Sequence, residues 1–445
     1  MTRMRSLIAL IVCGYLSWAG PALAGAVEDW NAITSQAVLA AVPPRPGPAS
    51  ILDFATVHAA VYDAVQAIEG QYEPYYVEIP GASGSSAAAA AKAAHDVLVD
   101  LFPGQAASLD TTYHDYLANN GLAEDDPGVA VGQQAAAGIL ALRACDGSYP
   151  DPPPPPFIGG TDPGVWRPTP SYLPGPPASF APMLIPWFGG VTPFALTRPA
   201  QFRAEPPPAL TSGRYTKDYK EVKALGRDVN SERTPEQTQI AYFWALNYVT
   251  QWNLALRDIA AAHIDNIGDS ARLFALANLA MADAGITAWD SKKHFVFWRP
   301  VTAIQEGDND GNPRTHGDTQ WKPLINTPNY PDHTSGANNL TGAITRILAL
   351  FFKTDHFTFQ VTSNFPLASP PMRTYTRFSD AAKDVVNARI YLGIHFRFAD
   401  TAARRQGQQV ANWVFKHYLQ SVGGDHGDGD GNDDVNVNVN EDGDD

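Results

Sequence analysis

Between Asp290 and Asp400 the sequence sets three separated clusters of cationic, small and imidazole residues that could together hold one tetrahedral oxyanion. They are Lys292 with Arg299-Pro300, then Ser335-Gly336, then Arg389 with His395. A phosphate-like anion needs positive charge from several sides, planar guanidinium forks for paired oxygen contacts, and backbone N–H groups aimed at its remaining oxygens. Each cluster offers one of these.

Lys292 and Arg299 are seven residues apart. At about 100° per residue this spacing predicts one helix face, with two long side chains converging near a helix end that Pro300 helps to set. A solvated cationic stripe has the same spacing, but Trp289, Phe295, Phe297 and Trp298 surround these charges with apolar mass, and charge in such surroundings requires partners. Ser335-Gly336 precedes the apolar run Leu340 to Phe352, which reads as a helix opening near Ala337. The pair is either an ordinary N-cap or a hydroxyl and free N–H groups offered to an anion. In the third cluster Ser379 is a candidate cap for a helix carrying Val385, Val386 and Arg389, which Gly393 can end so that His395 turns back. Beside Phe396 and Phe398, His395 alone would equally suit a structural role.

Taken in order, Lys292, six residues, Arg299-Pro300; Ser335-Gly336; and Arg389, five residues, His395 resembles the active-site signature of the vanadium-dependent haloperoxidases and the related type 2 acid phosphatases. Trp289-Asp290, Trp321 with Pro323-Leu324, and the run from Gly393 through Gly407 to Ala411 resemble the bacterial haloperoxidase-like branch. So do the helix around His58, Tyr62 and Asp63 and the Pro-rich middle, so the resemblance covers nearly all of the expected mature chain. It implies an all-α fold of helical bundles. It also implies Lys292, Arg299 and Arg389 as charge partners of the oxyanion, Ser335 and the Gly336 N–H as further donors, and His395 as the group bonded to the metal of vanadate, or as nucleophile in a phosphatase. The implied cofactor is vanadate, with phosphate able to occupy the same site. The implied partners are hydrogen peroxide, halide and a small organic acceptor, with Lys292 polarising the peroxide.

Two departures from the family pattern stand out. Its Ser-Gly-His continues here as Ser335-Gly336-Ala337, so the second histidine, an acid/base group, is absent. The family's Asp four residues after the metal-binding histidine is Ala399 here, and Asp400 follows it. His333, four residues before Ala337, is the candidate replacement, with His294 and His316 behind it. The alternatives to a haloperoxidase are a phosphomonoesterase acting through a phosphohistidine and a catalytically impaired oxyanion-binding relative. Loss of the acid counts most against the phosphatase, whose alkoxide leaving group needs a proton.

The elements that must position these clusters read as helices. Residues 25–150 form an N-terminal helical region, in which Ser50 with Asp53 suggests a capping box and Gly70 a stop. Further helices are expected over Ser86 to Phe102, Leu109 to Leu117 and Val129 to Arg143. His58, His95 and His114 lie in these helices without a metal-binding pattern, and are read as structural. Residues 151–209 are rich in Pro, Gly and aromatics; they cannot be helical for long, but Trp166, Phe188 and Phe194 carry too much apolar surface to leave in water. This segment is expected to wrap the helical body and rim the pocket. Residues 210–422 form the C-terminal helical region with the oxyanion site, opened by an N-cap, Pro and capping-box sequence, Thr234-Pro235-Glu236-Gln237.

At the N-terminus, Arg3 and Arg5 precede the apolar run Leu7 to Ala19 and the small residues Ala22-Leu23-Ala24. Residues 1–24 therefore read as a cleavable signal for a secreted or periplasmic protein, and the run is too short for a membrane span. With Cys13 in that signal, Cys145 is left alone, without an internal disulfide, and is expected to be buried as a small hydrophobe. The net charge is -15, and nine acidic residues lie between Asp425 and Asp445, in an expected disordered tail over 423–445. Such a balance excludes a general nucleic-acid-binding surface. The acidic stretches Glu306 to Gly311 and Asp428 to Asp434 lack full calcium-loop spacing and read as a turn and as part of the tail.

Overall fold

The computed structural model describes residues 25–245 and 248–423. The expected signal and the expected tail beyond Gly423 lie outside the described residues. The first five helices are α1 (Gly25–Leu39), α2 (Ser50–Glu69), α3 (Ser86–Leu101), α4 (Ala106–Asn119) and α5 (Pro127–Arg143). After a long irregular stretch come α6 (Gly213–Leu225), α7 (Pro235–Phe243), α8 (Tyr248–His263), α9 (Ile267–Phe295), α10 (Pro300–Gln305) and α11 (Gly336–Phe351). An antiparallel hairpin, β1 (His356–Thr362) and β2 (Met372–Arg377), then leads into α12 (Phe378–Tyr391) and α13 (Arg397–His417). The fold is all-α apart from this hairpin, which packs against α8 and α12 and was not read from the sequence. Among the described residues no helix is long and apolar enough to cross a membrane.

The organising element is α9. Its 29 residues are apolar or small on nearly every face and almost all are buried, which marks a helix surrounded by others. One side meets α2, which packs on α3 and α5; the other meets α11 and α13. The crossing of α11 with α13 is close because Gly407 has no side chain: a Cβ there would lie 2.1 Å from the Asn339 carbonyl.

Buried polar groups register the N-terminal helices on this axis. Asn31 of α1 donates to Asn253 of α8 at 2.7 Å and lies 2.7 Å from Nε2 of His58 on α2. Asn253 donates in turn to Asn278 of α9 at 3.0 Å. His58 is thus a structural histidine in a four-helix chain of amides, and burial holds its pKa down at about 3.

The Pro-rich stretch follows the expectation of a wrap over the helices. Trp166, Phe188 and Phe194 are buried. Asp283 of α9, itself fully buried, receives the Phe194, Ala195 and Leu196 N–H groups at 2.6, 2.8 and 2.8 Å. A chain without its own ladder of hydrogen bonds is thereby satisfied by one carboxylate.

Several local readings are corrected. Ser50 and Asp53 form no capping box; Ala49 is the N-cap, the Ser50 hydroxyl donates to the Gly47 carbonyl, and Asp53 faces Arg45 and Tyr149. A 3-10 turn before the helix has displaced its start. Ser379 lies inside the first turn of α12, bonded to Asp355, rather than capping it. Cys145 is exposed, because it follows α5 where Arg143 and Asp146 turn inward and pair at 2.6 Å. Thr234 and Gln237 do form the capping box. Glu306 to Gly311 is a turn in which Asp308 accepts the Gly317 N–H.

Two outcomes are expected. Asp283→Ala leaves three strap N–H groups without an acceptor and should cost about 3–5 kcal/mol, seen as a lower midpoint in thermal unfolding and faster proteolysis around residues 190–197. The His58 pKa lies below that of a free imidazole, so between about pH 6.5 and pH 3 the unfolded chain takes up a proton that the folded chain refuses. This histidine's contribution to stability therefore falls as pH drops through that window, by up to about 1.4 kcal/mol per unit. The difference between wild type and His58→Gln in denaturant titrations should show that slope; parallel profiles would refute it.

Candidate functional site

The chain does not deliver Lys292 and Arg299 on one helix face. α9 ends at Phe295, Val296 takes a left-handed conformation (φ 48°), and Arg299 stands as N-cap to α10. The reversal is pinned from two sides. Val296 accepts the Trp166 N–H at 2.7 Å and Trp298 donates to Gly164 at 3.0 Å, while Phe297 accepts the Asp332 N–H at 2.9 Å. Lys292 and Arg299 thus converge because the helix breaks between them.

Both cations are fully buried and held by backbone carbonyls. Lys292 Nζ donates to Pro331 at 2.7 Å and Asp332 at 3.2 Å, with the Tyr330 ring 4.8 Å away. Arg299 donates through Nε to Tyr330 at 2.7 Å and through Nη1 to Ile394 at 2.6 Å. Its Nη1 also lies 3.0 Å from His395 Nε2. Arg389, near the end of α12, gives Nη1 to the Tyr248 hydroxyl at 3.0 Å. Arg299 Nη2 and Arg389 Nε have no protein acceptor.

His395 is reached through the turn after α12, where Gly393 (φ 78°) bends the chain as its position suggested. Burial, then Arg299, Lys292 and Arg389, hold its pKa well below the usual imidazole value, which favours the neutral ring. Burial and the neighbouring Arg299 also push the Lys292 ammonium well down, against the support of Asp332 and Asp400.

At Ser335-Gly336 the N-cap alternative fails in its usual form, since the Ser335 side chain makes no capping bond to α11. Its hydroxyl faces the Asp400 carboxylate, which also accepts from Asn338 at 2.8 Å. Gly336 is required by close packing: a Cβ there would sit 2.8 Å from the Trp289 ring. Ala337, half-buried, packs against the apolar core. The polar layer beneath is tied together by Gln406, which accepts from Thr334 and Asn339 and donates to Phe202 of the strap.

Sequence reasoning missed one residue, Asp332. Fully buried, its Oδ1 lies 2.7 Å from His395 Nδ1 and 3.6 Å from Arg299 Nη1. Burial pushes its pKa up to about 7, opposed by Arg299 and Lys292 and by the Phe396 N–H nearby. A carboxylate directly before His333 in a Pro-containing loop gives no periodic signal, and only the folded loop turns it inward. Asp400 is also buried among these groups, with its pKa raised well above the usual range by burial and then by Asp332.

His333 packs between Phe295 and Phe398, bonds the Glu205 carbonyl through Nε2 at 2.8 Å, and leaves Nδ1 without a partner. Burial brings its pKa to about 4. It lines a cleft of about 220 Å³ together with Arg203, Glu205, Arg214, Phe398 and Arg405. His294 and His316 are exposed. Among the described residues no group of three or more His, Cys, Asp or Glu is arranged to hold a bare metal ion.

Vanadate, an oxyanion, asks for a different cradle, and the buried residues fit it. Three cations face two carboxylates and a neutral imidazole, and unpartnered donors remain on two of the arginines. The fit differs from an all-cationic cage because two buried carboxyl groups, Asp332 and Asp400, share the pocket with the cations.

Residues 272–424 match the family model of the VCPO second helical-bundle domain. The vanadium chloroperoxidase of Curvularia inaequalis is 28% identical over 298 residues, a match taking in 52% of this chain and 48% of that protein, so the chain spans about half the length of this curated relative. A bacterial vanadium-dependent iodoperoxidase structure superposes with a TM-score of 0.75 at 25% identity, covering 90% of this chain and 98% of the other. The holo form of a bacterial vanadium-dependent chloroperoxidase shares the fold at a TM-score of 0.68 and 17% identity, over 82% of this chain and 90% of the other. The break after Lys292, the helix opening at Ser335 and the turn before His395 therefore sit in a protein that is a relative of the vanadium-dependent haloperoxidases.

Proposed function

We propose that the chain is a vanadium-dependent haloperoxidase-like enzyme that oxidises halide with hydrogen peroxide and passes the oxidised halogen to a small organic acceptor. One observation carries this reading: Lys292, Arg299, Arg389 and His395 are buried together, with unused guanidinium N–H groups on both arginines. Buried donors without acceptors are costly, and a bound oxyanion would satisfy them.

Lys292, Arg299 and Arg389 would hold the anion by charge, Ser335 and the Gly336 N–H by hydrogen bonds, and His395 by its neutral nitrogen. Bound vanadate would supply Lewis-acid activation of peroxide without changing its oxidation state. The remaining work falls to the protein. A bound oxyanion would stabilise the Lys292 ammonium beside it, and Trp289, Tyr330 and Phe398 would keep bulk water away, which strengthens each electrostatic contact. His333, on the cleft side, is our candidate for moving a proton, since Ala337 cannot.

Phosphate would find the same donors, so phosphomonoester hydrolysis is the outcome the assays must separate. The signal over residues 1–24 would export the protein to the periplasm or beyond, a point N-terminal sequencing of the secreted chain checks.

With a cyclic dione as acceptor, purified full-length protein should halogenate only when vanadate, peroxide and iodide or bromide are all present. Turnover of p-nitrophenyl phosphate instead would favour the phosphatase, and vanadate binding with neither activity an impaired relative. His395→Ala should lower halogenation by at least about 10²-fold and weaken vanadate retention in equilibrium dialysis. Ala337→His, which restores the family's acid/base group, should raise kcat by about 10²-fold with little change in vanadate affinity. No change in kcat would mean that another residue already does this work.

A further inference from the structure

The cleft beside His333 carries a charge opposite to that of the whole chain. At about 220 Å³ it is smaller than the roughly 300 to 1,000 Å³ of sites for drug-sized ligands, and suits one small organic molecule. Three segments line it: the strap with Pro206 and Pro208, the first turn of α6 with Arg214, and one face of α13 with Phe398, Ala402 and Arg405, spaced four and three residues apart. α6 and α13 are joined here, because Asp218 accepts the Phe398 N–H at 2.8 Å. Phe398 and His333, both almost fully buried, close the inner end of the cleft. That end adjoins the oxyanion pocket: His333 directly follows Asp332, and Gln406, which also lines the cleft, bonds both Thr334 and Ser291.

The three arginines of the cleft are not equivalent. Arg203 commits its guanidinium to Asp290 through two bonds of 2.7 and 2.8 Å. Arg214 and Arg405 are exposed, and among the described residues neither forms an ion pair or a hydrogen bond. Glu205, the carboxylate in the cleft lining, pairs with neither. In a chain of net charge -15, two unpaired guanidinium groups at one opening reverse the local sign. Helical side chains lean toward the helix N-terminus, so Arg405 reaches back along α13 toward Phe398.

We infer that this cleft binds a small organic acid, with its carboxylate between Arg214 and Arg405 and its apolar body against Pro206, Pro208 and Ala402. A carboxylate matches the paired N–H groups of a guanidinium fork, a match that a spherical halide cannot make. Resting on the haloperoxidase reading above, the inference makes the organic acceptor an aromatic or enolic carboxylic acid, held with its electron-rich end toward His333 and the oxyanion pocket. The transfer balances: an acceptor carbon takes the halogen from hypohalous acid as the O–halogen bond breaks, and the proton lost from that carbon joins the departing hydroxide as water.

The test compares para-hydroxybenzoate with its neutral isostere para-hydroxybenzamide by isothermal titration of the full-length protein at neutral pH and constant ionic strength. Wild type should bind the acid about tenfold more tightly than the amide. Arg214→Gln and Arg405→Gln should each narrow that preference to about threefold, and the double variant should remove it. Equal binding of the two compounds by wild type overturns the inference, as does a preference that survives in the double variant. If the double variant does not fold, the two single variants decide in the same way. With vanadate, peroxide and bromide present, the KM of the acid should lie about tenfold below that of the amide in wild type; equal KM values would overturn the assignment of the cleft to the acceptor. Charge-selective binding with no halogenation of either compound would overturn the function proposed above and uphold the organic-acid site.

Discussion

Three side-chain cations are held out of water within reach of one another, and much of the architecture can be understood as what that requires. Each buried charge is costly unless its surroundings replace the lost water. Here the replacement is largely backbone: four carbonyls, from Tyr330, Pro331, Asp332 and Ile394, receive the protons of Lys292 and Arg299. Carbonyls can serve this way only where the chain is irregular, since those inside helices are already engaged. The loop before α11 and the turn before α13 therefore leave regular structure where the cations need acceptors.

Rigid helices make such irregularity tolerable. α9 supplies a fixed axis, α11 and α13 close on each other through the Gly407 contact, and the loop carrying Asp332 leads directly into α11. Asp332 and Asp400 bring the charge balance of the pocket closer to neutral, which eases burial of the three cations before any ligand arrives. That compensation distinguishes this pocket from one relying on its ligand for all of its negative charge.

How much of this the sequence disclosed depends on the range of the forces involved. Periodic apolar residues and local caps are short-range signals, so the helices and the Thr234 capping box were legible, and the ordered motifs named Lys292, Arg299, Ser335, Arg389 and His395 as candidates. The structure brings those residues together, but not by the route their spacing suggested. A seven-residue interval reads as one helix face, whereas Val296 ends the helix and tertiary hydrogen bonds to the strap set the return. Asp332 was illegible for the same reason: its inward turn is decided by the Phe297 carbonyl on another segment. The Ser50 and Ser379 readings failed because nearby competitors, a 3-10 turn and Asp355, had already taken the positions that local propensity assigned to them.

The strap's hold on Val296 also bears on how this molecule can be divided. The helical module that matches the family model begins more than a hundred residues after Gly164 and Trp166, yet those two positions set the bend that aims Arg299. A fragment cut to the module would carry every candidate ligand-binding side chain and still lack the clasp that orients them. The recognisable unit of sequence and the smallest unit able to assemble the pocket are therefore different lengths of chain.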